Sequence, residues 1–105
     1  MLRCHKLVVN MAQEKITLLA EFLKNKRNIS GLSQKEVAHH LGYSTSQFVS
    51  NWERGISQPP LAVLRTLANL YKISADDMFS VLLKTTVAQV EVDLKHKFYS
   101  KEVSL

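Results

Sequence analysis

All three glycines and both prolines of this chain fall between stretches of helical apolar periodicity, and none falls inside one: Gly31, Gly42, Gly55, Pro59 and Pro60. Glycine and proline interrupt regular elements, so their placement divides the chain into short helices with turns between them. No strong strand alternation appears before Val87. The expectation is an all-α fold, a bundle of five helices with a C-terminal extension.

The first helix is predicted over residues 12–26, with Asn10 as N-cap and Gln13 placed to reach back to it. Ile16, Leu19, Ala20 and Leu23 form its inward stripe. At about 100° per residue, Arg27 falls roughly 20° from Ile16, in the middle of that stripe. An arginine there needs a partner.

"LSQKEVAHHLG" marks the second helix. Ser33 with Glu36 three residues on reads as a capping box, and Gly42 as the left-handed turn that ends the helix. A helix this short is stable only when packed, through Val37, Ala38 and Leu41. The third helix is predicted over residues 46–54, with Thr45 as N-cap. The fourth follows Pro60 and directs Leu61, Leu64, Leu67, Ala68 and Tyr71 inward. The fifth opens at an N-cap Ser74 paired with Asp77 and is expected to bury Met78, Phe79, Leu82 and Leu83.

"VEVDLKHKF" carries two overlapping codes, because it alternates as a strand does while Val87, Val90, Leu94 and Phe98 keep helical spacing. The acid-first i, i+4 pairs Glu91 with Lys95 and Asp93 with Lys97 favour a helical continuation. The organisation read from the sequence is an N-terminal arm at 1–11, a domain at 12–84 and an extension at 85–105.

The orientation of the third helix carries the functional information. With Val49 set at 0°, Trp52 lies at about 300° and Glu53 at about 40°, facing the body of the domain. Gln47, Asn51 and Arg54 lie on the far side, with Ser50 at its edge. Glu53 is thus directed inward, where an unpaired carboxylate costs several kcal/mol, of order 3 to 5, and Arg27 is its natural partner. The outer face holds amides, a hydroxyl and a guanidinium, with no acid. Amides can pair bidentately with adenine in a DNA major groove, and a carboxylate there would repel the phosphates.

Charge and composition narrow the alternatives. The net charge is +5, from 14 Lys+Arg against 9 Asp+Glu. Its excess is N-terminal, with six basic residues and two acids up to Leu32, which suits a polyanion partner. Cys4 is the one cysteine, so no internal disulfide forms and a reducing compartment fits. His39 and His40 are adjacent, unlike a helical i, i+4 metal pair, and are expected at the surface. No nucleophile with base and orienter, phosphate loop or metal cluster is evident, so an enzyme is not expected, nor a cofactor. The apolar run near the N-terminus is too short for a signal peptide and no span is long enough for a membrane, so a cytoplasmic location is expected. Met11 is an alternative start, which would make the first ten residues an arm.

From about Ile16 to Phe79 the sequence resembles the lambda-repressor-like (Cro/C1 or XRE-type) helix-turn-helix family. "LSQKEVAHHLG", then "SNWERG" with a proline-containing turn, then "LRTLANLYKIS" carry the resemblance. It implies a double-stranded-DNA-binding transcriptional regulator, a repressor, whose helix 46–54 enters the major groove of DNA as a homodimer. By position, Ser46, Gln47, Ser50 and Asn51 match base-reading sites, while Gln34, Thr45 and Arg54 match backbone-contacting ones. The family often carries an arginine and glutamate paired as Arg27 and Glu53 would be. Nine residues separate Gly42 from Trp52, one more than the family's usual pattern, so "GYSTSQ" is expected to form a longer turn. Phe48 stands where a smaller residue is usual and is expected to pack beside Tyr43.

A single short helix reads few base pairs, so a dimer surface is needed. Leu18 and Phe22 form a second patch on the first helix, and Val87, Val90, Leu94 and Phe98 are candidates to cover it or to dimerise. The alternative reading is a DNA-binding antitoxin or an adaptor that grips a protein partner through the C-terminal segment.

Overall fold

The computed structural model describes residues 9–10 and 15–100. Five helices form its body: α1 (Leu18–Ser30), α2 (Gln34–His40), α3 (Gln47–Glu53), α4 (Leu61–Leu70) and α5 (Ala75–Tyr99). Ahead of them, two-residue strands β1 (Val9–Asn10) and β2 (Lys15–Ile16) pair antiparallel, Val9 opposite Ile16 and Asn10 opposite Lys15. The fold is all-α, lambda-repressor-like, and its C-terminal extension is helical through Tyr99.

The start of α1 departs from the predicted 12–26 helix. Asn10 lies in β1, and α1 begins only at Leu18, with Thr17 as N-cap. Gln13 lies outside the described residues. The cause is tertiary: the Ile16 N–H donates to Gln89 Oε1 on α5 at 2.7 Å, a bond that an intrahelical N–H could not make. The β-branched pair Ile16-Thr17 also gives little helical propensity to oppose it. At its other end α1 continues past Lys26 to Ser30, where Gly31 closes it with φ 77°.

The remaining helices are fixed by short local devices. Ser33 Oγ accepts the Glu36 N–H at 3.0 Å while Glu36 Oε1 accepts the Ser33 N–H at 2.8 Å, completing the capping box. Ser74 Oγ accepts the Asp77 N–H at 3.0 Å and opens α5. That helix then runs without interruption through the expected domain boundary at residue 84. Glu91 and Lys95 form the expected i, i+4 pair at 3.1 Å, and Asp93 accepts a hydrogen bond from Gln89 Nε2 at 3.0 Å.

The core joins Leu19 and Leu23 of α1, Val37 and Ala38 of α2, Val49 and Trp52 of α3, and Leu64, Leu67 and Ala68 of α4 to Tyr71 and Met78. Full burial of each large aliphatic side chain stabilises by about 1.5–3 kcal/mol, so the seven-residue helices α2 and α3 persist through packing. Phe22 packs partly buried against this core, and α5 covers α1 within the same chain.

Three residues expected inside lie outside. Leu61 occupies the first position of α4, past the end of the core, and is exposed. Phe79 and Leu83 are exposed because α5 is apolar on two sides and the domain takes only one. Its inward side is Met78, Thr85 and Ala88, with the Thr85 hydroxyl satisfied by the Val81 carbonyl at 2.8 Å. No helix of the described residues is long and apolar enough to cross a membrane.

Candidate nucleic-acid interface

Arg27 and Glu53 determine how α3 sits. Arg27 Nε donates to Glu53 Oε2 at 2.7 Å, its second terminal nitrogen donates to Oε1 at 3.0 Å, and its first donates to the Leu32 carbonyl at 2.8 Å. Both side chains are buried. This two-pronged geometry suits a guanidinium and a carboxylate, and it joins the end of α1 to the end of α3. The hydrogen bond to Glu53 raises the Arg27 pKa above its ordinary value against the opposing effect of burial, so the guanidinium stays charged. Beside the pair, burial raises the Tyr71 pKa, and the Glu53 charge raises it further.

With Glu53 held inward, the opposite face of α3 is exposed. Gln47 Nε2 donates to Asn51 Oδ1 at 2.9 Å, and an Arg54 terminal nitrogen donates to the same oxygen at 2.9 Å. Gln47 and Arg54 are exposed, while Ser50 and Asn51 are half-buried. One surface therefore presents Gln47, Asn51 and Arg54 as a ladder along the helix, with Ser50 at its margin. A ladder of amides and a guanidinium can donate to base edges and to phosphates.

The turn into α3 is long, as expected, and α3 begins one residue later than the predicted 46–54 helix, with Ser46 and not Thr45 as its N-cap. Ser46 therefore lies at the helix mouth and not on its outer face. The Ser46 side chain makes no capping bond, and Thr45 Oγ1 accepts the Gln47 N–H at 3.3 Å instead. Phe48 lies 5.0 Å from Tyr43 and 6.4 Å from Trp52 between ring centroids, and Tyr43 and Trp52 are 6.0 Å apart. These three rings brace the lengthened turn against the domain.

Gln34, at the first position of α2, donates through Nε2 to Glu53 Oε1 at 3.0 Å. Sequence reasoning missed this bond. It brings the start of α2 onto the same carboxylate that anchors α3, so Glu53 accepts from two side chains on two other helices. The ladder, by contrast, left a readable signal in the i, i+4 spacing of Gln47 to Asn51 and the i, i+3 spacing of Asn51 to Arg54.

His39 and His40 are exposed on α2, and the described residues hold no group of three or more His, Cys, Asp or Glu able to hold a metal ion. Cys4 lies outside the described residues. Val87, Val90, Leu94 and Phe98 are all exposed on α5, turned away from α1.

No curated protein and no solved structure matches the chain. A family model described as Helix-turn-helix matches residues 23–78. That span begins near the middle of α1 and ends at Met78, taking in the Arg27–Glu53 pair, α2, the turn, α3 and α4. The chain belongs to the Cro/C1-type helix-turn-helix family of DNA-binding regulators.

Proposed function

We propose that this chain is a sequence-specific transcriptional regulator, a repressor, that binds double-stranded DNA as a homodimer with α3 in the major groove. Residues 12–84 bind DNA and 85–105 contribute to assembly. The observation that carries this reading is the sorting of charge on α3: its acid is buried against Arg27, while Gln47, Asn51 and Arg54 share the outer face. Gln47, Ser50 and Asn51 read base edges, with Ser46 at the helix mouth beside them. Arg54, Thr45 and Gln34 position the backbone.

Lysine and arginine contacts release counterions, so affinity falls steeply with salt, and the amides supply sequence preference. Selection of duplexes from a random pool at near-physiological salt tests the reading. An inverted repeat with half-sites about 34 Å apart, one DNA turn, is the expected product. Failure to enrich any sequence, with binding that vanishes as salt rises, would refute it.

The exposed apolar side of α5 also favours a second reading, an antitoxin or adaptor whose C-terminal helix grips another protein. Under that reading the purified chain is monomeric.

A further inference from the structure

Seven large apolar side chains are left uncovered along α5, and all but Tyr99 fall on one side of it: Phe79, Leu83, Val87, Val90, Leu94 and Phe98, each between 48% and 76% exposed. At about 100° per residue they form one stripe, roughly opposite the side through which Met78, Thr85 and Ala88 face the domain. Read in order the stripe is Phe, Leu, Val, Val, Leu, Phe, with separations of 4, 4, 3, 4 and 4 residues. Both the residue types and the spacing are palindromic about the point midway between Ala88 and Gln89.

A palindromic stripe is self-complementary under a two-fold axis perpendicular to the helix. Two antiparallel copies crossing at that midpoint place Phe79 level with Phe98, Leu83 with Leu94, and Val87 with Val90, so every layer along the seam has a matching partner. We infer that α5 pairs antiparallel with α5 of a second copy of this chain, with the two-fold axis between residues 88 and 89. This inference rests on the dimeric reading given above and specifies its geometry.

Charge and area support the second copy over another occupant. α5 opens with Asp76 and Asp77 and closes with Lys95, His96 and Lys97, so antiparallel pairing sets acidic start beside basic end, where parallel pairing stacks like on like. Lys84 and Glu91 flank the stripe on one side. Antiparallel pairing brings Lys84 of each copy within about 3 Å, two residues' rise, of the level of Glu91 in the other. Six side chains of this exposure cover roughly 600 Å² per copy, about 1,200 Å² in all, which reaches the size of a specific interface.

Spin labels at Ser80 and Lys97 on a Cys4→Ser background test the arrangement in the free protein, without DNA. Each site lies 8.5 residues from the midpoint. Antiparallel pairing predicts backbone separations of about 26 Å for like-labelled pairs and about 10 Å for a mixture of Ser80-labelled and Lys97-labelled chains. The reverse pattern means parallel pairing and overturns the inference. A second test is Val87→Glu with Val90→Glu, which places four carboxylates at the axis while altering only solvent-facing positions of the protomer. It is expected to weaken the dimer at least about 100-fold in sedimentation, with helicity unchanged. An undiminished dimer, or a wild-type chain that stays monomeric up to about 100 µM, overturns the inference. These distances do not depend on DNA, so failure of the DNA-binding reading in the duplex selection leaves them untouched.

Discussion

Replacing Glu53 with alanine isolates the interaction that orients α3. The substitution removes a carboxylate that accepts three hydrogen bonds, at 2.7 and 3.0 Å from Arg27 and at 3.0 Å from Gln34. It leaves Arg27 charged and 9% exposed, with only its bond to the Leu32 carbonyl. Breaking a buried pair from one side costs about 3–5 kcal/mol, mostly from stranding the remaining charge. At 4–8 °C per kcal/mol for a domain of this size, the melting temperature should fall by more than about 12 °C. Urea denaturation gives the free energy directly, and Glu53→Gln, which keeps the shape and can still accept hydrogen bonds, should lose less. The decisive arm is the double variant Arg27→Met with Glu53→Leu, which removes both charges at once. It should recover most of the loss, leaving a coupling of at least about 2–3 kcal/mol relative to the two single variants. If Glu53→Ala costs under about 1 kcal/mol, or if the double variant is simply additive, the pair is not what fixes α3.

Asn51→Ala should weaken binding to the selected duplex by about 1–3 kcal/mol and relax preference at one base position, as measured by titration against specific and random DNA. Equal losses on both would remove its base-reading role. Gly55 has φ 76°, and a Cβ built there meets Thr17 Cγ2 at 2.9 Å, whereas one built on Gly31, with φ 77°, meets nothing within 4 Å. Gly55→Ala should therefore cost about 1–3 kcal/mol and exceed Gly31→Ala in urea titrations, and equal costs would eliminate the contact with Thr17. Hydrogen bonds from the Ser33 backbone and then its hydroxyl hold the Glu36 carboxyl below its ordinary value of 4.5. A folded value lower than the unfolded one means that its stabilising contribution is present above the unfolded value and is lost as pH falls through the folded one. Carboxyl carbon shifts should accordingly give Glu36 a midpoint below 4.5, and a midpoint at or above 4.5 would mean that the capping box does not persist in solution.

The parts of the fold legible in the sequence are those whose cause is local. The capping box at Ser33, the cap at Ser74 and the left-handed Gly42 each depend on residues a few positions apart, and the structure places them as read. The inward turn of Glu53 was legible because two residues, about 200° of helix, separate its direction from that of Asn51. What was not legible depended on distant partners. Gln89 lies 73 residues from Ile16, and its acceptance of the Ile16 N–H decides where α1 begins. Phe79 and Leu83 read as core residues because α5 has two apolar sides, and periodicity alone does not say which one a domain covers. The extra residue between Gly42 and Trp52 is visible in the sequence, but its effect, the shift of Ser46 from helix face to helix mouth, depends on how the turn packs its rings.

The ladder on α3 also bears on how such a surface would discriminate between bases. Asn51 Oδ1 already accepts from Gln47 and from Arg54, which occupies both of its lone pairs. Bidentate pairing with adenine requires that oxygen to accept from the base, so at least one of the two bonds must yield on binding. Each such exposed bond contributes a net of only about 0.5–1.5 kcal/mol, less than the 1–3 kcal/mol a bidentate base contact supplies, so the exchange is favourable only at the right base. Under the proposed reading a released Arg54 would then be free to take a phosphate, and a released Gln47 a neighbouring base. Opposite a wrong base the ladder keeps its internal bonds and gains nothing. Under the proposed reading the same three side chains would hold α3 ready when unbound and gain affinity only at a matched sequence, provided that Glu53 stays locked inward by Arg27 and never presents its charge to the groove.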